Sequence, residues 1–332
     1  MATTYTGTSA ITGPPAQAGI TGLVKQSYDR YIEFALRSQP LIRGIVDRRP
    51  VQQAYPGSSV VLQNYVDLAA NTTSLTENVD PDAVALSNLT NVTITLNEYG
   101  NAVLETRALA ELSLSDIDPA IANIVAYNMA DSIDQLVQAS IRTNGTNVRL
   151  AGGAATTYSL PSSVTATSYL KGEDIRLVTS KMKALNAMPR FGSLYGCYMH
   201  PEVSFDVKSE AGASGAVLQG SFEDIRKYTE SQVGNIINSV AGVIHGAYIV
   251  ESPRMYNATD GASATTRNFR THFFGQQAVA EAVAIEPGIV MGPITDKLMR
   301  ARPVGWYGLL GWNVYRQNAL YRVESTSSIN KT

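Results

Sequence analysis

The sequence is short of charge, nearly without cysteine, and free of long apolar runs. Asp, Glu, Lys and Arg make up 16% of its 332 residues, against about 25% in ordinary soluble domains. The 26 basic and 28 acidic residues leave a net charge of −2. That balance excludes a basic nucleic-acid binder, an acidic-tail protein and a charge-rich disordered chain. With Cys197 as the one cysteine, no internal disulfide can form and nothing points to an oxidising compartment. No stretch of about 18 apolar residues is present, so no membrane-spanning helix is expected. Residues 1–22 lack the basic and apolar regions of a signal peptide, and a cytoplasmic chain is expected. On that expectation the Asn-Xaa-Thr triplets at Asn71, Asn88, Asn91, Asn144 and Asn257 serve strands and turns rather than glycosylation.

The missing charge has a direction. There are 8 Lys against 18 Arg, and no Lys between Lys25 and Lys171. A monomer in water covers itself with charge, whereas surfaces buried between subunits favour Arg and deplete Lys, because a guanidinium is weakly hydrated and pairs bidentately. Assembly explains the pattern, and so does a plain arginine bias.

Reactive chemistry is scarce as well. His200, His245 and His272 have no Cys or acidic partner at ligand spacing, and read as a strand end, a turn and a strand residue. Cys197 lies in the apolar run Tyr195 to Met199, the setting of an inert core thiol. No Gly precedes a Lys, so there is no phosphate loop, and Gly305, Gly308 and Gly311 lack the strand-to-helix context of a dinucleotide fingerprint. They read as close packing in a sheet beside Trp306 and Trp312. No catalytic residue, cofactor site or metal site is expected, and a large, ordered, weakly charged chain without a site reads as structural.

What is present is a definite order of elements. After an aperiodic start, apolar residues from Leu23 to Leu36 recur at helical spacing, and Pro40 ends that helix. Arg43, Arg48 and Arg49 follow, as a solvated turn or as charged contacts to a neighbouring subunit. Ser59 to Leu68 and Asn91 to Leu96 read as strands; Val92, Ile94 and Leu96 alternate with polar residues. About twenty polar residues separate the two, a length found in functional loops, and a ribbon of two strands is marginal alone, so it must lie on its own domain or on another chain. Asp116 and Asp118 before Pro119 suit a helix start, and Asn144-Gly145 supplies the stop. Ile121, Val125, Met129, Ile133, Leu136, Val137 and Ile141 form the stripe of a helix nearly 40 Å long at about 1.5 Å per residue. Beyond a small-residue stretch come a helix at Gly172 to Met188, a strand at Tyr195 to Met199, a short helix after Pro201, a capped helix near Ser221 with Asp224 three residues on, strands at Ala247 to Glu251 and His272 to Gly275, and a strand-rich end from Ala278 to Ser327. The fold class is α+β.

In this order, with Leu112-Ser113-Leu114-Ser115-Asp116-Ile117-Asp118-Pro119 ahead of the long helix and Glu286-Pro287-Gly288 near the end, the chain resembles the major capsid proteins of tailed bacteriophages, the Hong Kong 97-type fold. The resemblance implies an N-terminal arm (1–50), an extended two-stranded loop (51–107), a peripheral domain (108–159) with a spine helix at about 116–144, an axial domain (160–280), and a return to the peripheral domain (281–332). It further implies an icosahedral virion capsid of pentamers and hexamers that encloses packaged double-stranded DNA and is assembled in the host bacterial cytoplasm without a membrane. The implied partners are other copies of the chain, a separate scaffolding protein, a portal protein, a decoration protein, and DNA without sequence-specific contacts. At net −2 the shell cannot neutralise that DNA, so a motor must drive packing. The extended loop is expected to lie over the adjacent subunit and bury Val60, Leu62, Val92, Ile94 and Leu96 partly against it, with Arg43, Arg48 and Arg49 as further contacts. Some relatives crosslink covalently through a lysine in this loop; with no Lys from 26 to 170, shell stability here is expected to be non-covalent. An encapsulin-type compartment and a non-assembling cytoplasmic enzyme stand as alternatives.

Overall fold

The helix stripe read from the sequence sets the centre of one lobe. The computed structural model describes residues 40–50, 58–65, 70–80, 89–107, 118–152, 161–212, 223–224, 240–293, 298 and 300–329. The arm before residue 40, with the helix expected at Leu23 to Leu36, lies outside them. Helix α1 spans Asp118–Asn144, and Val125, Ile133, Val137 and Ile141 on its stripe are buried. It ends where expected: Gly145 N–H donates to the Ile141 carbonyl at 2.9 Å, and a Cβ at residue 145 would stand 2.7 Å from that oxygen. The helix packs on a four-stranded sheet of β1 (Asp47–Pro50), β4 (Asn97–Thr106), β12 (Val279–Met291) and β13 (Ala301–Val314), in the order β1-β12-β13-β4. β1 runs parallel to β12; the other pairs are antiparallel.

The remaining strands form a second, eight-stranded mixed sheet. Its path is β5 (Val148–Leu150), β14 (Leu320–Ser325), β11 (Asn268–Phe274), β6 (Tyr195–Met199), β9 (Ala247–Glu251), β8 (Val240–Ile244) and β7 (Glu223–Asp224), with β10 (Asn257–Ala258) beside β11. Helices α2 (Gly172–Ala184) and α3 (Pro201–Gly212) contribute Ile175, Val178, Met182, Val203 and Val207 to a core with Phe269, Phe273 and Val323. β8 and β9 are joined by His245 at φ 46° and Gly246 at φ 82°, the left-handed pair that a two-residue hairpin requires. At the start of the helix expected near Ser221, Glu223 and Asp224 pair as strand with Val243 and Gly242; the rest of that segment lies outside the described residues.

A polar seam joins the lobes. Asp134 in mid-α1 accepts from the backbone N–H groups of Ile42 (2.7 Å) and Arg43 (3.3 Å), while Ile42, Ile45 and Val46 enter the core beneath α1. Gln138 donates to the Arg254 carbonyl and accepts from Tyr256 N–H. Arg190 ties the second lobe to Asp47 and to the Gly44 carbonyl. Met255, Phe274 and Leu320 share one apolar cluster with α1, so the core runs across the junction.

The two-stranded ribbon is β2 (Ser59–Tyr65) with β3 (Leu89–Thr95), antiparallel. Past Leu96 the chain continues into β4, which belongs by its pairing to the long sheet.

Candidate functional site

The groups that could carry chemistry are spent on structure. Burial beside Arg322 and Arg270 pushes His272 down to about 3, so it is neutral throughout the ordinary pH range. The Cys197 thiol is buried and burial raises its pKa well above normal, which keeps it protonated and unreactive. Desolvation also lowers His200 and His245. Among the described residues no three metal-ligating side chains come together.

The three arginines expected at a subunit contact are held by this chain. Glu281, 1% exposed, accepts from Arg43 Nε (3.1 Å), Arg48 Nε (3.2 Å) and Trp312 Nε1 (3.1 Å). Arg48 also pairs with Glu286, and Arg49 lies 5.4 Å from the centre of the Tyr315 ring. β1 runs alongside β12, which brings these side chains to their partners while Arg48 stays half exposed. Nothing in the sequence marked Glu281 or Trp312 as their partners.

The ribbon residues divide. Ile94 (0% exposed) and Leu96 (6%) are buried against Ala280 and Ala282 in this chain's own sheet, and the expectation that they meet a neighbour is corrected. Asn313 Nδ2 donates to the Thr93 carbonyl at 2.7 Å, and Gly311 leaves room for β3: a methyl there would overlap the Thr95 carbonyl oxygen and lie 2.8 Å from Ile94 Cγ2. Val60 and Leu62 pack on the rim of the same cluster, half-buried, and Val92 is half-buried as well.

Among the described residues, the exposed apolar side chains include two groups, on the ribbon and on the long sheet. One is the ribbon and its connection, where Val61 is 51% exposed, Leu75 70% and Val79 64%, and every residue of 70–80 is exposed. The other is the far end of the long sheet. The row Met291, Val304, Val103 crosses three strands there, and Met291, Val103, Leu104, Ile289 and Val290 all face solvent by two-fifths or more. Exposed apolar side chains gathered on such elements are of the kind found at interaction sites. α1 and the segment 253–257 wall a groove of about 530 Å³, lined by Gln138, Arg142, Arg254 and Tyr256.

No protein-family profile matches the chain, and no curated protein sequence does. Solved structures do match over nearly the full length. The capsid of Ralstonia phage GP4 aligns with a TM-score of 0.70 at 13% identity, over 98% of this chain and 99% of that one. The cyanophage Pam1 capsid gives 0.69 at 14%, over 93% and 98%. The acid-stable capsid of Helicobacter pylori bacteriophage KHP30 gives 0.64 at 14%, over 95% and 100%. Long helix on long sheet, mixed second sheet and protruding ribbon are together the Hong Kong 97-type fold of phage capsid proteins.

Proposed function

We propose that the protein is the major capsid protein of a tailed bacteriophage, closing with copies of itself into an icosahedral shell of pentamers and hexamers around double-stranded DNA. The observation that carries this is the end-to-end match to capsid subunits with almost no length left over on either side. Two open apolar surfaces and an absence of reactive constellations among the described residues support it. In this reading the base of the ribbon is fixed to its own sheet, and its connection, through Leu75 and Val79, lies on the adjacent subunit. The far end of the long sheet meets copies across capsomer boundaries. Each fully buried Leu or Val contributes about 1.5 to 3 kcal/mol, and repetition around a closed shell multiplies that gain without covalent links. Domain roles follow the same reading: arm 1–50, extended loop 51–107, peripheral region 108–159 with return 281–332, axial region 160–280. A scaffolding protein, a portal, a decoration protein and assembly in the bacterial cytoplasm belong to it as partners and place.

The test is expression of the full chain, alone and with its phage's scaffolding protein, followed by electron microscopy and nuclease treatment. Closed shells that protect DNA after packaging support the proposal. Shells that instead hold a cargo enzyme identify an encapsulin-type compartment.

A further inference from the structure

We propose that the outer face of helix α2 points into the shell and contacts the phosphate backbone of the enclosed double-stranded DNA. This rests on the capsid reading and adds to it which surface faces inward.

Lysines are absent from residue 26 to residue 170, and then three of the eight fall at 171, 181 and 183, with Arg176 among them. Ile175, Val178, Thr179 and Met182 turn one side of the helix into the core, while Lys171, Arg176, Lys181 and Lys183 are all exposed. The β8–β9 turn adjoins them. Arg176 lies near enough to His245 to disfavour its protonation, and Lys183 Nζ is 3.7 Å from where a Cβ on Gly246 would stand.

Many of the other described cations are engaged in ion pairs. Arg43, Arg48, Arg190, Arg254, Arg270, Arg322 and Lys208 each pair with a carboxylate, whereas among the described residues none of the four on α2 has an ion-pair partner. Of the two acids on the helix, Asp174 is buried and engaged with Gly152 N–H, Lys171 N–H and Arg149. Only Glu173 offsets the face. Four positive charges less one leave +3 there, in a chain whose total is −2.

A surface of this kind fits a partner read by charge alone. From 171 to 183 the helix rises about 18 Å at 1.5 Å per residue, the length of roughly five phosphates along one strand. Lysine is a mobile, strongly hydrated point charge, suited to phosphates at no fixed register. Such contacts position DNA without neutralising it, in keeping with the overall charge.

DNA-filled particles treated with formaldehyde, then digested with nuclease and protease, test this by mass spectrometry. Nucleotide adducts are expected on Lys171, Lys181 and Lys183. In a second arm, the Lys171→Gln/Arg176→Gln/Lys181→Gln/Lys183→Gln variant should close into shells of the same diameter. Binding of its subunits to a 30-base-pair duplex should lose up to about four units of the log K against log salt slope, at about 0.9 per cation. Filled shells with adducts only on other surfaces, an unchanged salt slope, or a variant that no longer incorporates scaffold would overturn the inference alone; the last would assign the face to an acidic protein. If the chain forms no DNA-holding shell, the capsid reading falls and takes this inference with it.

Discussion

Glu281 shows how single residues hold the sheet to the incoming chain. Its carboxylate is buried and receives three donors from two distant segments. Breaking a buried pair strands the partner's charge and costs about 3 to 5 kcal/mol; because Arg48 is half exposed, Glu281→Ala is expected to cost about 2 to 3 kcal/mol, read as a drop in urea midpoint at unchanged slope. His272 gives a pH signature. It sits beside the buried pairs of Glu324 with Arg270 and Arg322 and stays neutral down to about pH 3. Between about 6.5 and 3 the unfolded chain binds a proton that the folded chain does not, so stability is complete above 6.5 and falls as pH drops. At about 1.4 kcal/mol per unit the loss by pH 4.5 is about 2 to 3 kcal/mol. His272→Gln should flatten that part of a denaturation profile; a profile as steep as that of the parent would contradict the assignment. Gly311→Ala forces β3 away from β13 and should cost about 1 to 3 kcal/mol, as overpacking does.

At the scale of elements, α1 and the segment 40–50 form one unit. Asp134→Ala would leave two backbone donors without their acceptor, at about 1 to 3 kcal/mol each when buried, whereas Asp134→Asn keeps an oxygen in place. The alanine variant should melt well below the asparagine variant. The ribbon separates folding from assembly. Ile94→Asp should destabilise the subunit itself, since Ile94 is in the core. Leu75→Asp with Val79→Asp should leave the melting temperature unchanged and reduce shell yield, which gel filtration and microscopy measure together. Normal shells from that variant would contradict the role given to the connection. The sequence made some of this legible. Period-two alternation marked Val92, Ile94 and Leu96 as an inward face, and 3.6-residue spacing marked α1, because both are local signals. What that face packs against was not legible. Glu281 and Arg43 are 238 residues apart, and local pattern carries nothing about such pairs. At Glu223 and Asp224 the local capping signal did not foresee the ladder to β8.

For the whole molecule, the shortage of charge resolves into distribution. Among the described residues, several arginines are drawn inward to Asp134, Glu281 and Glu324, the ribbon connection and sheet end expose apolar side chains, and four exposed cations without ion-pair partners cluster at α2. Two lobes share one core across a polar seam, which makes a single unit for the proposed shell to repeat. Electron microscopy of the full chain, expressed alone and with the proposed scaffolding protein, tests this most directly. Closed icosahedral shells of uniform diameter are the predicted result, and a monodisperse monomer under the same conditions would contradict it.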